Sequence, residues 1–172
     1  MTVPAWIYRI EPLGPDHDRS SFHCGIPELD KYLQQQARQD ARRRITAPFV
    51  LTASTAVVIG YYTLSAYSVK LAELRDALAR KLPRYPLLPA TLLGKLAVDE
   101  SCRGRHLGRF LLMDALHRSW KSTSEVASIG VVAEAPDAKA RAFYLHYEFR
   151  PLADPSDKLF LAMATIEQVF GR

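Results

Sequence analysis

The chain contains few cysteines and no long apolar run, and these two features exclude several classes of protein. Its two cysteines, Cys24 and Cys102, lie in neither a C-x-x-C pair nor a Cys/His cluster, so neither a disulfide framework nor a zinc or redox centre is expected. No stretch approaches the roughly 18 apolar residues of a membrane span, and residues 1–10 lack the apolar core of a signal peptide. These observations predict a cytoplasmic protein without a metal site.

Two nucleotide-binding motifs are absent as well. The sequence has no G-x-x-x-x-G-K-[ST] and no G-x-G-x-x-G string, so neither a P-loop nucleotidase nor a dinucleotide-binding fold is supported. What the chain does have is the size and composition of one globular domain: 172 residues, 48% hydrophobic and 24% charged. Because no internal repeat or low-complexity linker interrupts it, residues 1–172 are expected to form a single domain.

Positive charge is concentrated in the middle of the sequence. The net charge is +5, and residues 31–50 and 70–95 each carry +4, whereas residues 1–30 carry −3 and residues 122–172 carry −2. This distribution suits an anionic partner such as a phosphorylated cofactor, a nucleic acid or an acidic protein. A solvated charged face is the alternative explanation.

Hydrophobic periodicity and turn residues predict alternating strands and helices in the order βαββαβαβαβ. The predicted strands are residues 6–10, 49–53, 56–65, 91–98, 126–134 and 158–164. The predicted helices are residues 26–44, 69–81, a segment that begins near Leu107, and 136–147. Prolines exclude a helix over residues 81–89. The order is typical of a layered α+β or α/β fold.

The segment with the clearest chemistry is a glycine- and arginine-containing turn, residues 103–108, between a predicted strand and a predicted helix. A helix N-terminus offers unpaired amides and the positive end of its dipole, so a diphosphate is expected to bind here. Fixed positive charge is added by Arg103, Arg105 and Arg109. The alternative is structural, with Gly104 and Gly108 only permitting a tight turn and close helix packing.

This turn resembles the motif of the GNAT superfamily of acyl-CoA-dependent N-acetyltransferases, a strand followed by [Q/R]-x-x-G-x-[G/A] and a helix. Arg103 fills the first place and Gly108 the last, while His106 stands at the middle glycine. The resemblance implies a mostly antiparallel sheet flanked by helices, a backbone that cradles the coenzyme A pyrophosphate, and a preceding strand that pairs with the pantetheine arm. The implied acetyl-CoA-binding residues are Leu96, Ala97, Val98, Arg103, Gly104, Arg105, His106, Leu107, Gly108, Arg109 and Phe143.

A second segment, residues 138–149, resembles the A-x-x-F-Y-x-x-x-G-F element of the same superfamily, with Glu148 in place of the glycine. Phe143 and Tyr144 lie about 100° apart on a helix, so one can pack while the other faces the site. The resemblance implies that Tyr144 is the general acid toward the departing thiolate, a role that suits a phenol of pKa about 10. Without the two motifs, Tyr144 would be interpreted as a packing residue.

Three further strings, residues 22–33, 60–65 and 93–99, are together similar to the GNAT toxins of bacterial toxin–antitoxin pairs. The resemblance extends from about residue 22 to 169. It implies transfer of acetyl from acetyl-CoA to the α-amine of aminoacyl-tRNA, which blocks translation. It also implies a ribbon-helix-helix antitoxin that neutralises the protein, and a homodimer.

The basic middle of the chain fits a charged tRNA, because cationic side chains bind phosphates with little sequence choice. The candidate tRNA-binding residues are Arg38, Arg42, Arg43, Arg44, Lys81, Arg84 and Tyr85. Alternatively, the cluster at 42–44 is a solvated helix end whose positive charge favours the helix dipole. An acidic antitoxin tail could use the same surface.

Several choices stay open at this level. The amine is expected to attack the thioester directly, with a strand amide near Val98 holding the carbonyl. The candidates for a general base, among which the sequence does not choose, are Glu134, His106 and His146. Cys102 has no evident base partner for a nucleophilic role, and Tyr61 is expected in the core. The remaining histidines, interpreted as surface or capping residues, are His17, His23 and His117. The rival functions are an acetyltransferase of small amines or protein N-termini, and a non-catalytic nucleic-acid- or protein-binding module.

Overall fold

The computed structural model describes residues 7–153 and 157–171. Its strands are β1 (Arg9–Pro12), β2 (Ala47–Thr52), β3 (Val58–Lys70), β4 (Leu87–Val98), β5 (Gly130–Glu134), β6 (Arg150–Pro151) and β7 (Lys158–Ala162). Its α-helices are α1 (Pro27–Lys31), α2 (Ala37–Arg42), α3 (Asp76–Ala79), α4 (Leu107–Ser122), α5 (Ala138–His146) and α6 (Met163–Phe170). A π-helical turn, Tyr32–Gln36, joins α1 to α2, and short 3-10 helices occupy Leu71–Glu73 and Glu100–Cys102. Within these residues, every helix is too short or too polar to cross a bilayer.

The strands form one seven-stranded sheet in the order β1-β2-β3-β4-β5-β7-β6. β2 pairs antiparallel with β1 and β3, and β7 pairs antiparallel with β5 and β6. β4 and β5 are parallel, with Thr91–Leu93 opposite Val131–Ala133, and β4 then continues to Val98. This mostly antiparallel sheet with helices confirms the predicted α+β class.

The chain forms two compact units. The first contains residues up to Ser65 together with Lys95–Ala115, and its fully buried core includes Leu33, Ala37 and Tyr61. The second contains Ala66–Gly94 and the residues from Leu116 onward. Its core members are Val69, Leu74, Leu88, Ala90, Val132, Leu152 and Phe160. The expectation of a single domain over residues 1–172 therefore stays a prediction.

The predicted helix over residues 26–44 forms with one irregularity. Pro27 opens α1, where a missing amide costs nothing, and the predicted apolar stripe of Leu29, Leu33 and Ala37 is buried. The π-helical turn rotates the chain, so that Gln36, which the periodicity assigns to the same stripe, is exposed. The hairpin predicted from residues 49–53 and 56–65 is confirmed as the antiparallel pair β2 and β3.

The predicted helix over residues 69–81 is wrong. β3 continues to Lys70 because Val69 is fully buried on the sheet, and only a 3-10 turn and the four-residue α3 follow. The proline-rich segment is non-helical as predicted, but its last residues, Leu87–Pro89, already belong to β4. Pro48 lies inside β2 and does not end a helix.

The end of the chain also differs from the prediction. The predicted last strand, residues 158–164, ends at Ala162, and the helix α6 follows it with Ile166 buried. Phe160 is buried along with its neighbours Leu159 and Leu161, because β7 lies between two strands and is covered on both faces. The predicted strand over 126–134 is only β5, β6 was missed, and the first strand is displaced from 6–10 to Arg9–Pro12. Trp6 lies outside the described residues.

Candidate active site

The turn after β4 is held by a capping carboxylate in the first unit. The Asp99 side chain accepts hydrogen bonds from the backbone amide of Ser101 at 3.0 Å and from that of His23 at 2.9 Å. Burial acts to raise the pKa of Asp99, but these hydrogen bonds outweigh it, and the pKa lies below its usual value. Asp99 therefore stays ionised and fixes the start of the turn.

Two residues of the turn have left-handed backbone dihedrals, Gly104 with φ of +81° and His106 with φ of +57°. Both are exposed, and a Cβ added at Gly104 would meet no atom within 4 Å. His106 stands at the middle glycine of the motif and takes the conformation that glycine favours. The departure in sequence therefore leaves the backbone of the turn in the glycine-like form.

The turn leads into the N-terminus of the 16-residue helix α4. The first intrahelical hydrogen bond runs from the Phe110 amide to the His106 carbonyl at 3.1 Å, so the amides of residues 107–109 precede the helical ladder. Leu107 is buried and anchors the helix start, while Arg105 and Arg109 are exposed beside it. Unpaired amides with adjacent guanidinium groups fit an anionic diphosphate.

Arg103 is placed differently from the other two arginines of the turn. Its Nη2 donates to the carbonyl of Cys24 at 2.9 Å and lies 3.4 Å from Glu100 Oε1. The sequence predicts a phosphate ligand here, whereas the structure gives Arg103 partners within the protein.

The predicted cofactor strand is the end of β4. Ala97 is buried in the core of the first unit, and Leu96 and Val98 are half-buried. The Asp99 amide donates to the Ile59 carbonyl at 2.8 Å, which ties this end of the strand to β3. The register with β5 ends at Leu93, so residues 96–98 lie beyond that ladder.

Tyr144 belongs to the second unit, on the helix α5. Asp137 caps this helix by accepting a hydrogen bond from the Ala140 amide at 2.8 Å. Tyr144 is buried, with its ring centroid 5.4 Å from Phe143 and 5.2 Å from Phe149, whereas Phe143 is half-buried. Burial raises the pKa of the Tyr144 phenol, and the charge of Glu134 raises it further. The phenol therefore keeps its proton at neutral pH, and its raised pKa makes it a weaker acid than an ordinary tyrosine.

Glu148, which follows the end of α5, has a left-handed backbone conformation like that of His106 before α4. Its φ is +71°, and its amide donates to the Leu145 carbonyl at 3.1 Å. The Phe149 amide then donates a hydrogen bond back to the Tyr144 carbonyl at 3.1 Å, as in a left-handed helix C-cap. The second departure from the glycine pattern thus also keeps a left-handed conformation.

The candidate bases differ in their surroundings. Glu134 ends β5 and is half-buried, close enough to Tyr144 for its charge to act on the phenol. His146 is exposed, with its ring centroid 4.9 Å from that of Tyr147. Cys102 is buried in the structure, which disfavours it as a nucleophile.

The histidines interpreted as capping or surface residues have structural contacts. His17 accepts from the Gly14 amide at 2.9 Å and lies 2.9 Å from Glu11. His117 is exposed and contacts the Phe170 ring, with centroids 5.0 Å apart. Tyr61 is fully buried, as predicted for a core residue, and its hydroxyl donates to the Leu29 carbonyl at 2.7 Å.

The candidate tRNA-binding residues occur in both units. In the first unit, Arg42, Arg43 and Arg44 are exposed at the end of α2, and Arg38 is half-buried on that helix. In the second unit, Lys81, Arg84 and Tyr85 are exposed on the loop before β4.

Sequence reasoning overlooked Lys95, which is part of β4. Its ammonium lies 4.0 Å from the centroid of the Tyr32 ring, a cation–π distance. The Tyr32 hydroxyl in turn donates to Asp40 at 2.8 Å. The only signal in the sequence was that Lys95 falls within the family-like string 93–99.

Several known proteins are similar to this chain in sequence and in structure. No family model matches the chain. The chain is 34% identical over 146 residues to the tRNA-acetylating toxin of Mycobacterium tuberculosis, with 85% of each protein covered. It is 29% identical over 171 residues to the probable toxin TacT of Sinorhizobium fredii, with 94% of each covered.

Solved structures match over nearly the whole chain. A tyrosine-to-phenylalanine variant of KacT gives a TM-score of 0.90 at 30% identity, covering 95% of this chain and 99% of that one. AtaT complexed with acetyl-methionyl-tRNAfMet gives 0.88 at 31% identity, covering 95% and 99%. An AtaT variant bound to the C-terminus of the antitoxin AtaR and to acetyl-CoA gives 0.82 at 27% identity, covering 96% and 99%.

Proposed function

This chain belongs to the GNAT toxins of bacterial toxin–antitoxin systems, and on that premise we propose that it transfers an acetyl group from acetyl-CoA to the α-amine of an aminoacyl-tRNA. An acetylated amine is no longer a nucleophile for peptide-bond formation, so translation stops. The relative from Mycobacterium tuberculosis is named for tRNA acetylation, and the AtaT complex holds an acetylated aminoacyl-tRNA. Both support this substrate class.

The observation that carries the proposal is the turn after β4. Gly104 and His106 place left-handed backbone in front of the α4 N-terminus, with exposed Arg105 and Arg109 beside it. These residues would hold the diphosphate of coenzyme A through amides and guanidinium groups. The backbone of residues 96–98 would pair with the pantetheine arm. A neighbour bound to acetyl-CoA supports the same cofactor here.

In the mechanism that we propose, bound acetyl-CoA supplies a thioester whose carbonyl carbon the substrate amine attacks and whose thiolate leaves. Tyr144 would donate the proton that the leaving sulfur takes up. A strand amide near Val98 would orient the thioester carbonyl. Since the α-amine has an ordinary pKa of about 7.7–8.0, part of it is already neutral near neutral pH and a strong base is not required. Its proton passes to solvent or to one of the three candidate bases.

The partners follow from the same premise. Arginines 42–44 on one unit and residues 81–85 on the other would contact tRNA phosphates, and a ribbon-helix-helix antitoxin would neutralise the protein, as complexes of AtaT with AtaR suggest. We place this activity in the cytoplasm, where charged tRNA is found, and expect residues 1–172 to act as one acetyltransferase domain. A homodimer is expected, and light scattering of the purified protein tests it.

The decisive experiment is mass analysis of charged tRNA incubated with the protein and acetyl-CoA, beside a panel of free amines and peptide N-termini. We expect acetyl-aminoacyl-tRNA from the wild type, and a loss of at least 100-fold in rate from Tyr144→Phe with acetyl-CoA binding retained. Tyr147→Phe, at the C-cap of the same helix, is the matched control and should keep its activity. Acetylation of free amines alone would favour the small-amine function, and a fully active Tyr144→Phe would remove the proposed acid.

A further inference from the structure

The family-like string at residues 22–33 contacts the candidate cofactor turn, and the function described so far gives it no role. Its backbone is joined to the 3-10 helix Glu100–Cys102 in both directions. The Glu100 amide donates to the His23 carbonyl at 2.9 Å, and the His23 amide donates to Asp99 at 2.9 Å. Arg103 adds the side-chain contact to the Cys24 carbonyl at 2.9 Å. Residues 76 and 79 positions apart are thus held together.

The buried carboxylate of Asp30 fixes the other side of this segment. Asp30 is 8% exposed, and it accepts from the Cys24 amide at 2.8 Å while lying 3.1 Å from His23 Nδ1. His23 Nε2 lies 3.4 Å from Glu100 Oε2, so the imidazole bridges the two carboxylates. The Cys24 peptide is therefore constrained through its amide by Asp30 and through its carbonyl by Arg103.

Gly25 shows how closely the segment approaches the turn. Its φ is +94°, and a Cβ built there would lie 2.7 Å from Glu100 Oε1 and 3.1 Å from Arg103 Nη2. A side chain at this position would displace both groups from their places and strain the backbone. The left-handed backbone favours glycine at this position, and a Cβ there would also press on the ends of the Glu100 and Arg103 side chains.

We propose that Arg103 is a positioning residue: it holds the cofactor turn in shape by anchoring it to the Cys24 carbonyl, and its charge is not a ligand of the diphosphate. This inference rests on the proposed acetyl-CoA site and gives the string at 22–33 its function. The charge that meets the diphosphate comes from Arg105 and Arg109, for which the structure shows exposed positions on the same turn.

Calorimetry with coenzyme A separates anchoring from charge. Arg103→Ala should weaken binding about tenfold, as the loss of a hydrogen bond from a charged group predicts, and leave the dependence of affinity on salt unchanged. Arg103→Gln removes the charge but keeps an N–H donor, so its affinity should return to within about threefold of the wild type. Arg105→Ala should weaken binding and flatten the salt dependence, because it removes a screened charge contact.

Gly25→Ala should reproduce the effect of Arg103→Ala without touching any charge, and the two together should lose no more than either alone. Gly14→Ala is the matched control, since a Cβ there would lie 3.7 Å from the His17 ring, an ordinary contact. Equal coenzyme A affinity in Gly25→Ala and Gly14→Ala would overturn the inference, and so would an Arg103→Gln as weak as Arg103→Ala.

Hydrogen exchange of the ligand-free protein tests the anchor independently of the cofactor. The hydrogen-bonded amides of the turn, those of residues 100–103 and of Phe110, should exchange faster in Arg103→Ala than in the wild type or in Arg105→Ala, while the core of the second unit keeps its protection. Unchanged exchange at these amides in Arg103→Ala would contradict the anchoring role, even if Gly25→Ala did not fold. A wild type that gives no heat with coenzyme A would instead refute the proposed function.

Discussion

Replacing either His106 or Glu148 by glycine should stabilise the fold, although most substitutions to glycine do the opposite. Both residues have left-handed backbone dihedrals, with φ of +57° and +71°, and both side chains are exposed, so their removal disturbs little packing. The left-handed region costs an L-residue about 1–2 kcal/mol that glycine does not incur. Glycine in turn lowers stability by roughly 0.5–1 kcal/mol, because its more flexible unfolded chain loses more entropy on folding. The free energy of unfolding should therefore rise by about 0.5–1 kcal/mol in each variant.

Thermal and urea unfolding measure this difference. For a chain of this length, 1 kcal/mol corresponds to about 2–4 °C in Tm, so each variant should melt roughly 1–4 °C above the wild type. Glu125→Gly is the matched control, because Glu125 is exposed in the turn after α4 and is not among the residues with positive φ. Its Tm should fall. If His106→Gly and Glu148→Gly melted as low as this control, backbone strain at the two positions would not be the reason for the effect.

Two further predictions concern tRNA binding and pH. Alanine at Arg42, Arg43 and Arg44 together should weaken binding of charged tRNA, with acetyl-CoA binding unchanged. The slope of log affinity against log salt should fall by about one for each phosphate that these side chains neutralise. Filter binding at several salt concentrations tests this, and an unaltered slope would exclude these arginines from the tRNA interface. The contribution of the buried tyrosines to stability should be fully present below about pH 10, the ordinary pKa of tyrosine, and be lost above it. The reason is that burial raises the pKa of Tyr61 and Tyr144, so the unfolded chain loses its protons first. Urea midpoints measured on both sides of that pH should fall less in Tyr144→Phe, and an equal fall would contradict the assignment.

Local sequence patterns predicted an element correctly where its buried residues recur with a single helical or strand period. The apolar repeat of residues 107, 110, 111, 115, 116 and 120 predicts the helix α4. Leu107, Leu111, Ala115 and Leu116 are buried as expected, whereas Phe110 is exposed and Trp120 is half-buried. The region of residues 69–81 misled because Val69 completes a long strand and only short helical turns follow it. Such a boundary depends on which neighbours cover the sheet, and propensity does not carry that information.

The sequence predicted where the candidate site lies better than it predicted which residues contact one another there. The strand, turn and helix around Gly104 followed from the motif and from the exposed amides that any helix start provides. The partner of Arg103 did not, because the Cys24 carbonyl lies 79 positions away in sequence, and only the folded chain brings the two together. Lys95 was overlooked for the same reason, because its contact Tyr32 is also distant in sequence.

His106 and Glu148 also show what a glycine in a motif specifies. If the glycine were needed for close approach of a ligand to the backbone, a side chain would obstruct the site; if it were needed for a left-handed dihedral, another residue could substitute at a cost of stability. Both residues keep the left-handed φ and are exposed, which agrees with the second requirement. A chain can therefore depart from the glycine pattern at two places and keep the backbone that its proposed function needs, with part of its stability as the cost.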